Sequence, residues 1–181
     1  MNIPVDILSQ GKYVAWYIYS ASAAPALEGP LTRAPCWICP AARRMLTGVS
    51  AQPRTFEGVH SSIAIARPVG HVVVVTIQGR DAGEHGEGPL RALDDELTRG
   101  PYALFVDARQ TQGASVDVSN VWAQWLRSRR DQLHRVHMLT GSRFVQLTAD
   151  FVRRFAELGD AMLIYTDGAA FDEALALATR R

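Results

Sequence analysis

The chain changes character near residue 56. From Ser61 onward its apolar and polar positions fall into periods that a fold can use. "SSIAIARP" (residues 61–68) alternates with period two, the pattern of a strand, here at an edge. "HVVVVTIQG" (71–79) is a nearly continuous β-branched run, expected of a strand covered on both faces. "PLRALDDELTRG" (89–100) switches to helical spacing, with Pro89 at the first position, Leu90, Leu93 and Leu97 on one face and Gly100 as the stop. "YALFVDA" (102–108) predicts a second buried strand, ending at Asp107 before a polar loop. "VDVSNVWAQWLRSRRDQL" then predicts a helix with Val118, Val121, Trp122, Trp125 and Leu126 inward. "HRVHMLTG" is a further strand. "SRFVQLTADFVRRFAELG" is a helix with Phe144, Thr148, Phe151, Val152 and Phe155 inward and Gly159 as its stop. "AMLIYTD" is the last strand, and Asp167 starts a closing helix packed through Phe171, Ala174, Leu175 and Ala178.

The order from Ser61 is β-β-α-β-α-β-α-β-α. Strands alternating with helices imply an α/β fold, a mostly parallel sheet with crossover helices and an antiparallel edge hairpin. The domain is expected at residues 57–181, behind a weakly structured N-terminal extension, residues 1–56, in which "SASAAPALEGPLTRAP" reads as linker. Because the ordered pattern begins only after Met45, a start at that methionine is one explanation of the extension.

Composition narrows the function. The 181 residues are 48% hydrophobic, enough for one domain with an ordinary core. A net charge of +1 lacks the basic footprint of a nucleic-acid binder or an anionic-membrane binder. Lys12 is the sole lysine, an arginine bias that points to a GC-rich, bacterial coding sequence. No apolar run reaches the ~20 residues that span a bilayer. "YVAWYIYSASAAP" (13–25) is too short and too rich in tyrosine for a secretory leader, and Asp6 weakens the basic start, so a cytoplasmic location is expected.

Motifs with chemistry are few. "CWIC" matches C-x-x-C at Cys36 and Cys39, but prolines flank it, no strand leads in, and a zinc site would need two more ligands. "GRDAGEHGEGPL" (79–90) has four glycines without the phosphate-loop spacing or its lysine, and Glu84 and Glu87 would repel an anion. His134 and His137 fall on opposite faces of a strand and cannot readily share a metal. "RSRR" (127–130) suits a helix C-terminus or an acidic partner. Asp107 ends its strand where a receiver domain carries its phosphoryl acceptor, but the companion acidic pair and lysine are missing. No nucleophile elbow or metalloprotease helix is present. Neither a cofactor nor catalysis is expected.

Residues from about 57 to 179 resemble the SpoIIAA-like branch of the STAS superfamily. "GPYALFVDAR" is similar to the family's central strand, "NVWAQWLRSRRDQLHRVHMLTG" to its helix, basic turn and next strand, and "DGAAFDEALALA" to its closing helix. The resemblance implies a non-catalytic module that docks on a partner protein, with a switch serine in a "DSSG"-like stretch at the start of a helix. The closest stretch here is "DVSN", which places Ser119 opposite the switch, with Val118 and Asn120 departing from the pattern. It also implies, for some members, an apolar ligand between helix and sheet.

Three functions follow. The leading one is a regulatory or protein-interaction module, which needs a protein partner and an exposed Ser119. The second is a carrier or sensor of a small apolar ligand near Trp122, Trp125 and Phe151, which needs a pocket of at least ~300 Å³. The third is a thiol redox or metal function of Cys36 and Cys39, which needs both sulfurs near a helix N-terminus.

Overall fold

A computed structural model of the protein describes residues 52–180. Within them the order is β1 (Arg54–Glu57), β2 (Ser61–Val69), β3 (Val72–Asp81), α1 (Gly88–Leu97), β4 (Tyr102–Ala114), α2 (Val116–Arg129), β5 (Leu133–Thr140), α3 (Arg143–Phe155), β6 (Met162–Tyr165) and α4 (Gly168–Thr179). The strands form one sheet in chain order, antiparallel from β1 to β3 and parallel from β3 to β6. The expected α/β architecture, a mostly parallel sheet with an antiparallel edge and crossover helices, is the one the chain adopts.

Strand order decides where the helices lie. Each parallel crossover steps one place in the same direction, and right-handed connections then put every crossover helix on one face. Accordingly Leu93 of α1, Trp125 of α2 and Val152 of α3 share one core with Val73, Val75, Leu104 and Val136. The closing helix follows the last strand and is free of that rule. It covers the opposite face, where Phe171 meets Val72, Phe105 and Leu139. Successive side chains of a strand point to opposite faces, so Leu104 and Val106 belong to the three-helix core and Phe105 to the other.

Four expectations need correction. A strand, β1, lies where coil was expected: Arg54 to Glu57 pair with Ile65 to Ser62, so the sheet begins three residues before residue 57 and β2 is not its edge. Only Phe56 of β1 is even half-buried, which is why no apolar alternation marks it. The polar stretch after Asp107 is not a loop. It continues β4 to Ala114, paired with a lengthened β3 through Gly79–Thr111, Arg80–Gly113 and Asp81–Ala114. In α2 the buried residues are Ser119, Ala123, Trp125 and Leu126, while Trp122 is half-buried and Val121 is 42% exposed. In α3 the buried residues are Val145, Ala149 and Val152. Small Ala149 lets the helix approach the sheet; Phe144 and Phe151 flank the contact and Phe155 is exposed. Residues 1–51, with Cys36 and Cys39, lie outside the described residues.

Candidate functional site

A cavity of about 90 Å³ lies between the sheet and the inner faces of α2 and α3. Ile77, Leu104, Ala108 and Met138 form its floor, and Val118, Trp122 and Val145 its helical walls. It reaches toward the carboxyl ends of β3 and β4, the place where open α/β sheets bind ligands. Small residues create the space: Ala108, Gly113 and Ala114 line it from β4. Gly113 has a φ of +150°, and a Cβ there would stand 3.3 Å from the Phe144 ring. A larger residue is therefore refused at that point by both backbone and neighbour.

The hydroxyls of the lining are already engaged with backbone. Ser119 Oγ donates to the Ser115 carbonyl at 2.9 Å, Thr111 Oγ1 to that of Ile77 at 3.0 Å, and Thr148 Oγ1 to that of Phe144 at 3.3 Å. Asp81 differs. It ends β3, is 6% exposed and borders the cavity. Its Oδ1 accepts the Gly83 N–H at 2.9 Å. Among the described residues neither a second hydrogen bond nor a cation within ion-pair distance reaches its carboxylate. Within those residues no side-chain polar atom is sealed in without a partner. Oδ2 is therefore not sealed in, and Asp81 is the one carboxylate among the residues that line the cavity.

The structure separates the residues that the sequence grouped. Trp122 lines the cavity. Trp125 does not: it packs in the three-helix core and its Nε1 donates to Asp94 Oδ1 at 3.0 Å. That carboxyl also takes the Arg129 Nε at 2.8 Å, and the pairing with Arg129 holds it below the usual carboxylate range. Phe151 stacks on Phe155, ring centres 5.9 Å apart, away from the cavity. Ser119 lies one turn inside α2 and is only 9% exposed. The helix cap is Ser115, whose Oγ accepts the Val118 N–H at 3.2 Å.

The remaining polar candidates hold the fold together. Arg127 and Arg130 both pair with Glu157 and Arg129 with Asp94, so each arginine of the basic run has an acidic partner within the fold. Asp107 accepts from Arg109 at 3.0 Å, and Arg109 reaches Asp172 of α4 at 2.7 Å, tying β4 to the closing helix. His134 is exposed, whereas His137 stacks on Phe105 and sits 2.9 Å from the Tyr165 hydroxyl through Nδ1.

One cluster escaped sequence reasoning. The Glu84 carboxylate accepts the Val59 N–H at 2.6 Å, the His60 N–H at 3.2 Å and the Ser61 hydroxyl at 2.6 Å, and His85 Nε2 lies 2.9 Å from the same hydroxyl. Hydrogen bonding, first from Ser61, keeps the Glu84 carboxyl below its ordinary range. In a serine nucleophile the acid orients the far nitrogen of the histidine. Here the acid binds the serine itself, and Ser61 is 6% exposed. The cluster fastens the glycine-rich loop to the β1–β2 turn. Among the described residues no group of His, Cys, Asp and Glu could hold a metal ion, and no helix is long and apolar enough to cross a membrane.

No family model and no curated protein matches the chain. Its structure is similar to a solved one with a SpoIIAA-like fold. That protein is an uncharacterised member of the DUF3478 family from Shewanella loihica. The two are 14% identical, with a TM-score of 0.49 over 66% of this chain and 98% of the other. At that identity and TM-score nothing about function passes from one to the other.

Proposed function

We propose that the protein is a non-catalytic binding module that senses a small, largely apolar molecule held between α2, α3 and the sheet. The observation that carries this reading is the cavity, walled by Ile77, Leu104, Met138, Val118 and Trp122 and reaching toward the carboxyl ends of two parallel strands. Its volume of about 90 Å³ is well below the ~300 Å³ at which pockets for drug-sized ligands begin. It stands closer to an apolar cavity of ~150 Å³ that admits benzene. The occupant is therefore a molecule of a few heavy atoms, and a lipid carrier is not supported.

The regulatory part of the reading runs through α2. The inner faces of α2 and α3 line the cavity, so an occupant can bias how those helices sit and what a partner protein meets on their outer face. A phosphorylation switch at Ser119 has less support, because its hydroxyl is buried and already donates within the helix. A bacterial cytoplasm is the setting this reading assumes. The test is methyl NMR on protein labelled at the methionine methyl groups, since Met138 and Met162 both border the cavity. Added benzene or xenon should shift both signals in a saturable way. Saturation of neither would overturn the reading.

A further inference from the structure

We infer that the cavity is built for a small amphipathic cation, an alkyl or aryl amine whose ammonium group binds Asp81 while its apolar part lies under Trp122 and Met138. The inference rests on the proposed reading of the cavity as a ligand site and adds the chemistry of the ligand.

The argument starts from the cost of Asp81. A carboxylate withdrawn from water is tolerated when it is paired or well hydrogen-bonded. Asp81 is 94% removed from solvent by its 6% exposure, and within the described residues one backbone N–H is its entire complement. Nothing in the fold demands an acid there. Its backbone carbonyl accepts the Ser115 N–H at 2.9 Å and its amide lies in the sheet, and any side chain would permit both. An asparagine or serine could accept the Gly83 N–H without a buried charge. The charge is what a ligand would use.

The surroundings select the kind of cation. No imidazole, thiol or second carboxylate lines the cavity, so a divalent metal would find one protein charge where it needs several oxygen ligands. A guanidinium presents five donors in a planar fork, and the other polar side chains of the lining are three hydroxyls already bonded to backbone and the Trp122 indole, which can only donate. An ammonium on a short apolar body matches one carboxylate oxygen and hydrocarbon walls. An anion is excluded by Asp81 itself. Position agrees: Asp81 ends its strand, placing the head at the carboxyl end of the sheet, while Val136 and Met162 mark the apolar depth.

The experiment uses the full-length chain and three probes on one five-carbon skeleton: isopentylamine, isopentanol and isovalerate. Binding is followed by the Met138 and Met162 methyl signals and by the side-chain carboxyl carbon of Asp81. Hydrogen bonds to charged groups exceed neutral ones enough for about a tenfold gain. The amine should thus bind about tenfold more tightly than the alcohol, the acid should not saturate, and only the amine should shift the Asp81 carboxyl carbon. Asp81→Asn should bring the amine down to the affinity of the alcohol and leave the alcohol within about twofold. If that variant does not fold, the Asp81 carbon signal in the unaltered protein decides alone. Equal binding of amine and alcohol, or an unmoved Asp81 carbon, would overturn the head-group assignment and leave the cavity reading standing. Failure of all three probes and of benzene to reach the methionine methyls would overturn both.

Discussion

Ala108→Leu should stabilise the protein and abolish its ligand site together. Ala108 is 1% exposed, sits on β4 and lines the cavity floor. Empty volume enclosed in a core costs about 24 cal/mol per Å³, so the cavity of about 90 Å³, which is partly open to solvent, represents at most roughly 2 kcal/mol of unrealised packing. Leucine adds three carbons directed into that space, and fixing its side chain costs ~0.5–1 kcal/mol. The net expectation is a gain of up to about 1 kcal/mol, read as a higher midpoint in urea with an unchanged slope. In the same variant, benzene and isopentylamine should lose at least about tenfold in affinity, since a filled cavity offers them no packing. Two results would refute the reasoning. A loss of stability above about 1 kcal/mol would mean overpacking, with no room to fill. A stabilised variant that bound the probes as before would place them elsewhere on the protein.

The remaining predictions concern the frame around that site. Arg67 and Glu96 are 7% and 8% exposed, and Arg67 also reaches the carbonyls of Gly70 and Gly100. Arg67→Ala should cost about 3–5 kcal/mol in urea unfolding, and pairing Arg67→Met with Glu96→Leu should recover most of it; equal losses would refute the ion-pair account. Ser115→Ala should cost about 1 kcal/mol and Ser119→Ala a few tenths at most, because Ser115 alone caps the helix; the reverse order would put the cap at Ser119. His137 is pushed down from 6.5 to about 4, first by burial and then by Arg135. Between those values the unfolded chain binds the extra proton, so this contribution to stability is complete above pH 6.5 and is lost as pH falls to 4. The shift alone implies ~3 kcal/mol, reduced to about 1–2 because the ring is part-exposed. His137→Phe should flatten urea midpoints over that window, and an unchanged slope would refute the assignment.

The fold was legible wherever burial was the organising force. The valines of β3 and the apolar run of β4 read as strands because both faces of them are covered. Illegible segments are held by backbone pairing without burial. Arg54–Glu57 has one half-buried side chain, and Arg109–Gly113 contains no apolar residue, yet both are strands. Two register shifts add to the difficulty in β4: Thr76–Asp107 is followed by Gln78–Gln110, and Gly79–Thr111 by Arg80–Gly113. Each shift places one extra residue in β4, which exchanges its inward and outward positions. Leu104, Val106 and Ala108 line the cavity at even positions, Thr111 at an odd one after the first shift, and Ala114, opposite Asp81, at an even one again after the second. A period-two reading ends at such a point although the strand does not.

The site was harder to read than the fold because a cavity is made by what side chains leave unfilled. Trp122 attracted notice as a large aromatic, but Ala108, Gly113 and Ala114 set the volume, and small residues in a polar stretch resemble loop. Trp125 and Phe151 were grouped with Trp122 because all three are bulky and lie in adjacent helices. One is fixed by Asp94 and the other turns toward Phe155. Asp81 did leave a signal. Val73, Val75 and Ile77 share one parity along β3, and all three belong to the three-helix side of the sheet. β3 carries no extra residue in its pairing with β4, so the same parity reaches Gly79 and Asp81. Ending the strand at Gly79 placed the acid in a glycine-rich loop, where a carboxylate is unremarked. Two residues more of strand place it on the apolar face of a sheet, where a carboxylate with one backbone N–H as its partner among the described residues stands out.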